Sequence, residues 1–443
     1  MQNIYINLKK SSFTSRVFKN YVILTGFFLV VKVGFLIFYL KKSNFKNPDS
    51  EGYLILAKYF NLAYIENQIK FNDLALLRTP GYPLFISIFD SNYKLIILIQ
   101  IILNIFNSII IVIFMKKVLK IGNERTTMLV FILLQIENSL TVYSYRILTE
   151  TLFTFLLLLF LCVVLYAVNL DKLKLNFKIF LIFLLISILM VRPIGIALLL
   201  VLISSLFFAK KRKILVFLII FVFGINLLYA TYNYYSKQVF TVSTVQNFYL
   251  FIYQGAASKA VSESQNFEIV ATRESTLRDS VLGPNPNIAD VNSYNQSRAW
   301  ELISQNKIAF IKLNAIGIAK ILLSPNRLEV DRITSDEGRI KYPDIIKFIF
   351  SMLAFISTFS ISTLGIIGAI IYFRKKFEYK LLSITLIIFL LFASGANAYG
   401  RYRAPIAPIL ALYSGLIIVE FYNFIKLKRS NKNIQFNKNF KVQ

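Results

Sequence analysis

Residues 151–170 read TLFTFLLLLFLCVVLYAVNL, and this stretch decides the fold because it is apolar on every face of a helix. A hydrocarbon core about 30 Å thick is crossed by about 20 apolar residues in a helix. A transmembrane barrel would instead show alternating segments of about ten residues. Backbone groups in lipid must bond internally, so this stretch predicts a membrane-spanning helix.

Similar apolar runs recur outward from this stretch, for example at residues 21–40 and 95–115. Of the 443 residues, 56% are hydrophobic and 16% are charged, and the mean hydropathy is +0.62. These values exceed those of a water-soluble domain of this length. We predict an all-α polytopic membrane protein with about ten (10 to 13) transmembrane helices, an amphipathic first outer loop and a larger outer loop.

The net charge of +28 comes from 50 Lys and Arg against 22 Asp and Glu. The basic residues fall in short clusters between apolar runs, as at residues 116–120 and 210–213, which is the pattern of cytoplasmic loops. This distribution argues against nucleic acid as a partner. The first run follows a basic stretch and predicts a retained signal anchor, with both termini cytoplasmic. A composition rich in Ile, Lys, Asn, Phe and Tyr favours a bacterial inner (plasma) membrane protein.

The charge pattern divides the chain into four parts. Residues 1–234 form an N-terminal transmembrane module with a first outer loop at 41–94, and residues 235–344 form an extracytoplasmic segment. Residues 345–425 form C-terminal transmembrane helices, and residues 426–443 form a basic cytoplasmic tail. Arg192-Pro193 interrupts the run 179–209, which predicts two short helices meeting at the outer surface.

The residue types available for chemistry are few. Cys162 is the single cysteine and the chain has no histidine, which excludes intrachain disulfides, imidazole bases and His-ligated zinc. Carboxylates, Lys, Tyr and Arg remain. The outward-facing polar residues are Asp49, Glu51, Arg78, Arg146, Glu150, Arg192, Arg401 and Arg403. Arginine binds phosphate bidentately, although arginines at helix ends also snorkel to lipid head groups.

Five motifs, in order along the chain, resemble the polyprenyl-phosphate-dependent glycosyltransferases of the GT-C class. They are NPDSEGY at residues 47–53, RTPGYPLF at 78–85, TETLF at 149–153, RPIG at 192–195 and RYRAP at 401–405. The arrangement is similar to that of the aminoarabinose transferases and protein O-mannosyltransferases. The Arg-x-Pro-Gly-Tyr-Pro element in a first outer loop is the most specific of the five.

The resemblance implies transfer of a sugar from a polyprenyl-phosphate donor to a lipid, glycan or protein acceptor on the outer face of the membrane, by inverting displacement. By position in the motifs, Asp49 would take the acceptor proton, and Glu51 would either share that role or cap the following helix, because Ser50 stands where relatives often have a second acid. The donor phosphate would be held by Arg78, Arg192, Arg401 and Arg403. Substrate would also contact Tyr53, Tyr82 and Glu150.

No cofactor is certain from the sequence. Some relatives bind a divalent metal, which here would need the carboxylates of Asp49, Glu51 or Glu150. Membrane lipid is a further expected partner. Two other classes stay open: a polysaccharide polymerase or ligase, which would place its arginines within the large outer loop, and a transporter or flippase of lipid-linked sugar, which would show paired broken helices.

Two charged residues fall within apolar runs. Lys32 and Glu137 lie about 12 residues into the first and third predicted spans, at similar depth near mid-bilayer. An unpaired charge there is costly, so the sequence predicts that they pair, the alternative being that Lys32 snorkels and Glu137 is protonated or wet.

Overall fold

The computed structural model describes residues 15–40, 46, 48–60, 78–170, 173–209, 212–326 and 344–440. Every regular element in these ranges is a helix, which confirms the all-α fold. Several predicted features lie outside the described residues: the basic residues before position 15, most of the amphipathic stretch after position 60, part of the 210–213 cluster, and residues 327–343.

Ten α-helices are described in the predicted N-terminal module, and asparagines start two of the long ones. The side chain of Asn92 accepts hydrogen bonds from two backbone N–H groups at the start of one helix, and Asn123 accepts one at the next. The helices are α1 Ser15–Leu40, α2 Pro48–Tyr59, α3 Gly81–Ser87, α4 Tyr93–Lys117, α5 Glu124–Ile136, α6 Asn138–Ser144, α7 Glu150–Val168, α8 Leu175–Val191, α9 Ala197–Leu206 and α10 Arg212–Lys237.

Two of the predicted runs are interrupted. As expected, α8 ends at Val191, Arg192 is extended, and a 3₁₀ turn at Pro193–Ile196 leads into α9. Residues 126–145 have the length of a single membrane-spanning helix, but α5 and α6 meet at Glu137 with a bend of 51°. Glu137 is extended, and its carboxylate caps α6 by accepting the Leu140 N–H at 2.7 Å. The capping acid therefore breaks the helix.

The described part of the predicted extracytoplasmic segment is helical too. Its elements are α11 Val245–Tyr249, a π-helix at Leu250–Ala256, α12 Ala257–Ser262, α13 Phe267–Leu282, α14 Ile288–Gln305 and α15 Lys307–Leu323. Buried Glu274 joins three of these helices by accepting from Lys259 Nζ at 2.7 Å and Arg298 Nε at 2.9 Å. Residues 308–323 are apolar enough to lie on the membrane surface or dip into it, and the C-terminal end of α15 buries Ile321 in the main core.

The C-terminal part consists of α16 Asp344–Tyr372, α17 Phe377–Ala393, a 3₁₀ segment at Gly400–Ile406 and α18 Ala407–Phe440. The buried Tyr413 hydroxyl donates to the Tyr379 carbonyl at 2.7 Å and so ties α18 to α17. One core cluster joins these helices to the N-terminal module, with Phe153 and Phe160 of α7 fully buried in it.

Within the described residues, six helices are long and apolar enough to cross a membrane, and the bent pair α5–α6 would be a seventh. The six lie in α1, α4, α7, α10, α16 and α18. They expose large apolar side chains such as Val30, Leu228 and Ile370, which suit contact with lipid. The chain is therefore polytopic, and the predicted count of about ten is not confirmed.

Candidate active site

Helix α2 carries the acidic motif of the first outer loop on its first turn, where carboxylates favour the positive end of the helix dipole. Each helical residue turns the chain by about 100°, so residues two apart face nearly opposite directions. Asp49 contacts arginines of the bundle, whereas Glu51 is exposed. Ser50 is buried and donates a hydrogen bond to the Ile147 carbonyl at 2.8 Å. The structure therefore does not bring Glu51 to Asp49.

Asp49 bridges two arginines that are far apart in sequence. Its Oδ1 lies 2.8 Å from Arg78 Nη2, and its Oδ2 lies 2.7 Å from Arg401 Nη1. Burial alone would raise the pKa of this carboxyl, but the two guanidinium groups outweigh it and lower the pKa to about 2. Asp49 is therefore ionised at neutral pH and held in place from both sides.

Glu150, at the start of α7, forms the second bridge. Its Oε1 accepts from Arg192 Nη1 at 3.0 Å and from Arg401 Nε. The Glu150 side chain is fully buried, and its Oε2 has no hydrogen-bond partner among the described residues. The five side chains thus form one alternating chain in the order Arg78, Asp49, Arg401, Glu150, Arg192.

A close backbone contact brings Arg78 and Arg192 together. A Cβ added at Gly81 would lie 2.6 Å from the backbone carbon and oxygen of Met190, so only glycine fits between these segments. Arg78 precedes Gly81 by three residues, and Arg192 follows Met190 by two. The Pro-Gly-Tyr-Pro motif therefore starts α3 and packs it against the end of α8.

Tyr53 and Tyr82, from the first two motifs, lie beside the cluster. The guanidinium of Arg78 lies over the Tyr53 ring, 4.9 Å from its centroid, and Nη1 donates to the Tyr53 hydroxyl at 3.4 Å. Tyr53 packs edge-on against Tyr82 with ring centroids 5.1 Å apart. Tyr82 is fully buried and donates to Gln100 Oε1 at 2.7 Å. Tyr53 therefore contacts the cluster directly, and Tyr82 supports Tyr53 from below.

Arg403 lies away from this cluster. It is fully buried, and its Nε donates to Glu137 Oε1 at 2.9 Å. Its Nη1 donates to three carbonyls at the end of α15, and its Nη2 donates to Thr358 Oγ1 at 3.1 Å in α16. The Arg403 guanidinium therefore has all its hydrogen-bond partners within the protein. The 3₁₀ segment at 400–406 directs Arg401 and Arg403 to different partners.

The predicted pair of Lys32 and Glu137 does not form a direct ion pair. Glu137 is engaged by Arg403, and Lys32 Nζ has no hydrogen-bond partner among the described residues although Lys32 is buried. The predicted pairing is wrong because the 3₁₀ segment brings Arg403 to Glu137 instead.

Four tyrosines that the sequence analysis did not single out flank Arg401 and Asp49. We call Tyr249, Tyr253, Tyr399 and Tyr402 the tyrosine wall. The rings of the first two lie 5.0 Å apart, and those of the last two lie 5.5 Å apart. The proximity of Tyr399 and Tyr402 to Arg401 in the sequence was a usable signal. Tyr249 and Tyr253 gave none, because tyrosine occurs 25 times in this chain.

The acidic residues of the cluster do not suit a divalent metal. Among the described residues, no group of three or more His, Cys, Asp or Glu side chains could hold one. Both oxygens of Asp49 and one of Glu150 already face guanidinium groups, which would repel a cation. No metal-dependent step is derived for this site.

The electrostatics of the cluster instead suit an anion. Three guanidinium groups against two carboxylates leave one uncompensated positive charge. The side chains of Arg401 and Arg192 are 9% and 13% exposed, so solvent screens them weakly. A phosphate entering here would gain charge-assisted hydrogen bonds from planar donors.

Comparison with known proteins supports the fold. No protein-family model matches the sequence, and no curated protein matches it. The oligosaccharyltransferase of Archaeoglobus fulgidus in the apo form aligns with a TM-score of 0.52 at 13% identity, over 96% of this chain and 53% of that chain. AglB from the same organism, in complex with an inhibitory peptide and a dolichol-phosphate, aligns with a TM-score of 0.48 at 13% identity, over 94% and 52%.

A third structure, ArnT from Cupriavidus metallidurans in the apo state, aligns with a TM-score of 0.36 at 11% identity, over 89% of this chain and 77% of that chain. The chain spans about half the length of the oligosaccharyltransferases it matches. The first alignment shows that the chain shares its all-helical fold with that oligosaccharyltransferase.

Proposed function

We propose that this chain is a membrane glycosyltransferase that moves a sugar from a polyprenyl-phosphate-linked donor to an acceptor at the outer face of the membrane. The observation that carries the proposal is the cluster of three arginines and two carboxylates, with its excess positive charge, among helices that expose apolar side chains. Such a donor is half hydrocarbon and half anion. It needs cationic groups at the edge of a lipid-facing bundle.

Arg78, Arg192 and Arg401 are the proposed phosphate ligands. Arg401 is central, because its guanidinium already bonds both carboxylates through different nitrogen atoms. As the bond between the sugar and the phosphate breaks, its electron pair stays on the phosphate oxygen, and fixed guanidinium groups stabilise that charge without reorganising. Arg403 takes no part in this binding in our proposal and instead holds α15 and α16 to the 3₁₀ segment.

Asp49 is the proposed general base. The acceptor hydroxyl or amide nitrogen attacks the anomeric carbon from the side opposite the phosphate, and its proton passes to an Asp49 oxygen. One bond forms and one breaks in a single displacement, so the anomeric configuration inverts. With no histidine in the chain, a carboxylate is the natural base.

The two arginines on Asp49 weaken it as a base while the donor is absent, because they hold its pKa at about 2. A bound phosphate would compete for the same guanidinium groups. Asp49 would then lose part of its stabilisation and become more basic. This predicts that donor binding precedes and enables proton abstraction from the acceptor.

Asp49→Asn tests the proposal against Glu51→Gln as a matched control. The amide cannot take a proton, so Asp49→Asn should reduce transfer by about 100- to 10,000-fold, while binding of polyprenyl phosphate is kept or tightened because Arg78 and Arg401 lose a competitor. Glu51→Gln should change transfer by only a few fold, since Glu51 is exposed on the other side of α2. Near-normal transfer by Asp49→Asn, or equal losses of transfer and phosphate binding, would reject Asp49 as the base.

The number of sugars added to each acceptor separates this function from a polysaccharide polymerase or ligase, which would use the same donor chemistry. A product whose mass grows by one sugar per acceptor supports a transferase. A ladder of products points to a polymerase. Movement of labelled donor between leaflets without release of lipid phosphate would point to a flippase.

A further inference from the structure

The tyrosine wall forms where two segments distant in sequence meet beside the charged cluster. Tyr249 ends α11 and Tyr253 lies in the π-helix that follows, whereas Tyr399 directly precedes the 3₁₀ segment of Arg401 and Tyr402 lies within it. All four side chains are partly exposed. An aromatic cluster that served only as core would be buried, as Tyr82 and Tyr413 are.

The wall is held rigidly from behind. Phe251 and Ile252 of the π-helix pack into a small core with Leu302 of α14. On the other side, the Tyr253 carbonyl accepts the Ala396 N–H at 3.1 Å. Single π turns inside helices are often found at functional sites, because they redirect side chains.

A glycine fixes the junction of the two segments. Gln254 Nε2 donates to the Ser394 carbonyl at 2.7 Å. Gly395 has a φ of +130°, and a Cβ there would meet Gln254 Nε2 at 2.5 Å. Glycine is therefore required at this position, and the loop before Arg401 cannot move away from the π-helix without breaking these contacts.

The wall borders the cluster closely. The guanidinium carbon of Arg192 lies 5.8 Å from the centre of the Tyr402 ring. Burial raises the pKa of Tyr253, and Tyr402 and the Asp49 carboxylate raise it further, so the phenol is neutral at physiological pH. Burial also raises the pKa of Tyr399. The wall thus offers uncharged rings and hydroxyl groups next to the proposed base and phosphate ligands.

This chemistry fits a sugar ring. A pyranose or furanose has apolar C–H faces that pack on aromatic rings, and it has hydroxyl groups that exchange hydrogen bonds with phenols. The sugar of a polyprenyl-phosphate donor is bonded directly to the phosphate, so a phosphate held by Arg192 and Arg401 would bring the sugar next to Tyr402, which already borders Arg192. Tyrosines of a membrane-interface belt would face lipid head groups and would not border a buried ion-pair cluster.

We propose that the tyrosine wall binds the sugar ring of the donor and helps to select it. This inference rests on the proposed function, because it needs a phosphate in the arginine cluster. It assigns the segment after α10 a role in the site, because α11 carries Tyr249 and the π-helix carries Tyr253. Tyr402 contacts both Arg192 of the cluster and Tyr399 of the wall, which makes it the central residue.

Binding of polyprenyl phosphate, bare or bearing glucose, galactose, mannose or arabinose, tests the wall with purified protein in detergent. In wild type, at least one attached sugar should strengthen binding relative to the bare phosphate. That gain should fall by about three- to tenfold in Tyr253→Leu and Tyr402→Leu, since an aromatic contact of 0.5 to 1.5 kcal/mol corresponds to that range. Affinity for the bare phosphate should stay within twofold.

Tyr235→Leu is the matched control, since Tyr235 is 84% exposed at the end of α10. Tyr402→Phe keeps the ring and removes only the hydroxyl, so it should retain more of the sugar gain than Tyr402→Leu, and Tyr253→Leu tests the wall independently if Tyr402→Leu folds poorly. A sugar gain that is absent from wild type, or that persists in the folded leucine variants, overturns the wall. Failure of wild type to bind bare polyprenyl phosphate would instead overturn the proposed function.

Discussion

Replacing Glu150 with glutamine perturbs the cluster at its most buried point. The Glu150 side chain is fully buried, and it accepts hydrogen bonds from Arg192 and Arg401, which are only 13% and 9% exposed. Removing one partner of a buried ion pair typically costs about 3–5 kcal/mol, because the remaining charge is stranded. The glutamine oxygen can still accept one of the hydrogen bonds, so we expect a loss near the lower end, about 3 kcal/mol.

The effect of polyprenyl phosphate on the stability of Glu150→Gln tests whether the unpaired positive charge can bind an anion. In Glu150→Gln the cluster carries two uncompensated positive charges, one more than in wild type. Polyprenyl phosphate should therefore stabilise the variant more than it stabilises wild type. Tenfold tighter binding would restore up to about 1.4 kcal/mol at saturating ligand. Thermal unfolding in detergent, with and without polyprenyl phosphate, measures both effects.

Glu301→Gln is the matched control for this experiment. Glu301 pairs with Arg298 at 2.8 Å, but its side chain is 49% exposed, so the pair contributes about 1 kcal/mol or less. The control should unfold close to wild type and should gain no extra stabilisation from the ligand. A Glu150→Gln protein as stable as wild type, or one stabilised equally by the phosphate, would refute the assignment of this cluster as an anion site.

Three further predictions follow from the same contacts. Arg401→Lys should weaken polyprenyl-phosphate binding by tenfold or more in a direct binding assay, because lysine lacks the fork, whereas Arg403→Lys should lower thermal stability and leave phosphate affinity nearly unchanged. As the pH is lowered, activity should fall when Asp49 becomes protonated. The fall in kcat should begin at a higher pH than the fall in kcat/KM for the donor, because bound phosphate competes for the two arginines and raises the pKa of Asp49 above its value of about 2 in the free enzyme. Lys32→Met should leave folded yield unchanged or raised, because Lys32 Nζ has no hydrogen-bond partner among the described residues.

Much of the site could be predicted because its residues sit at the ends of apolar runs. Five residues from the motifs, Asp49, Arg78, Glu150, Arg192 and Arg401, meet in one ion-pair chain, as their shared outer face indicated. Helix ends on the same side of a membrane lie at similar depth, so a one-dimensional pattern brings them to one layer.

The sequence could not predict which way each side chain points within that layer, and therefore which partner it contacts. Arg401 and Arg403 are two residues apart, but a 3₁₀ segment turns them to different partners, and Glu137 lies 266 positions away from its arginine. The kink at Glu137 was missed because an acid in an apolar run looked like a charge to be neutralised, and its capping role appears only in three dimensions. The π-helix that contains Tyr253 has no signature in the hydrophobic periodicity of the sequence.

The most direct test of the account is mass spectrometry of lipid-linked sugars and surface glycans from cells that make either the wild-type chain or Asp49→Asn. One polyprenyl-phosphate sugar should accumulate with Asp49→Asn while one glycosylated product disappears, and both should be at normal levels with wild type. Unchanged pools of lipid-linked sugars and surface glycans in cells that make comparable amounts of folded protein would contradict it.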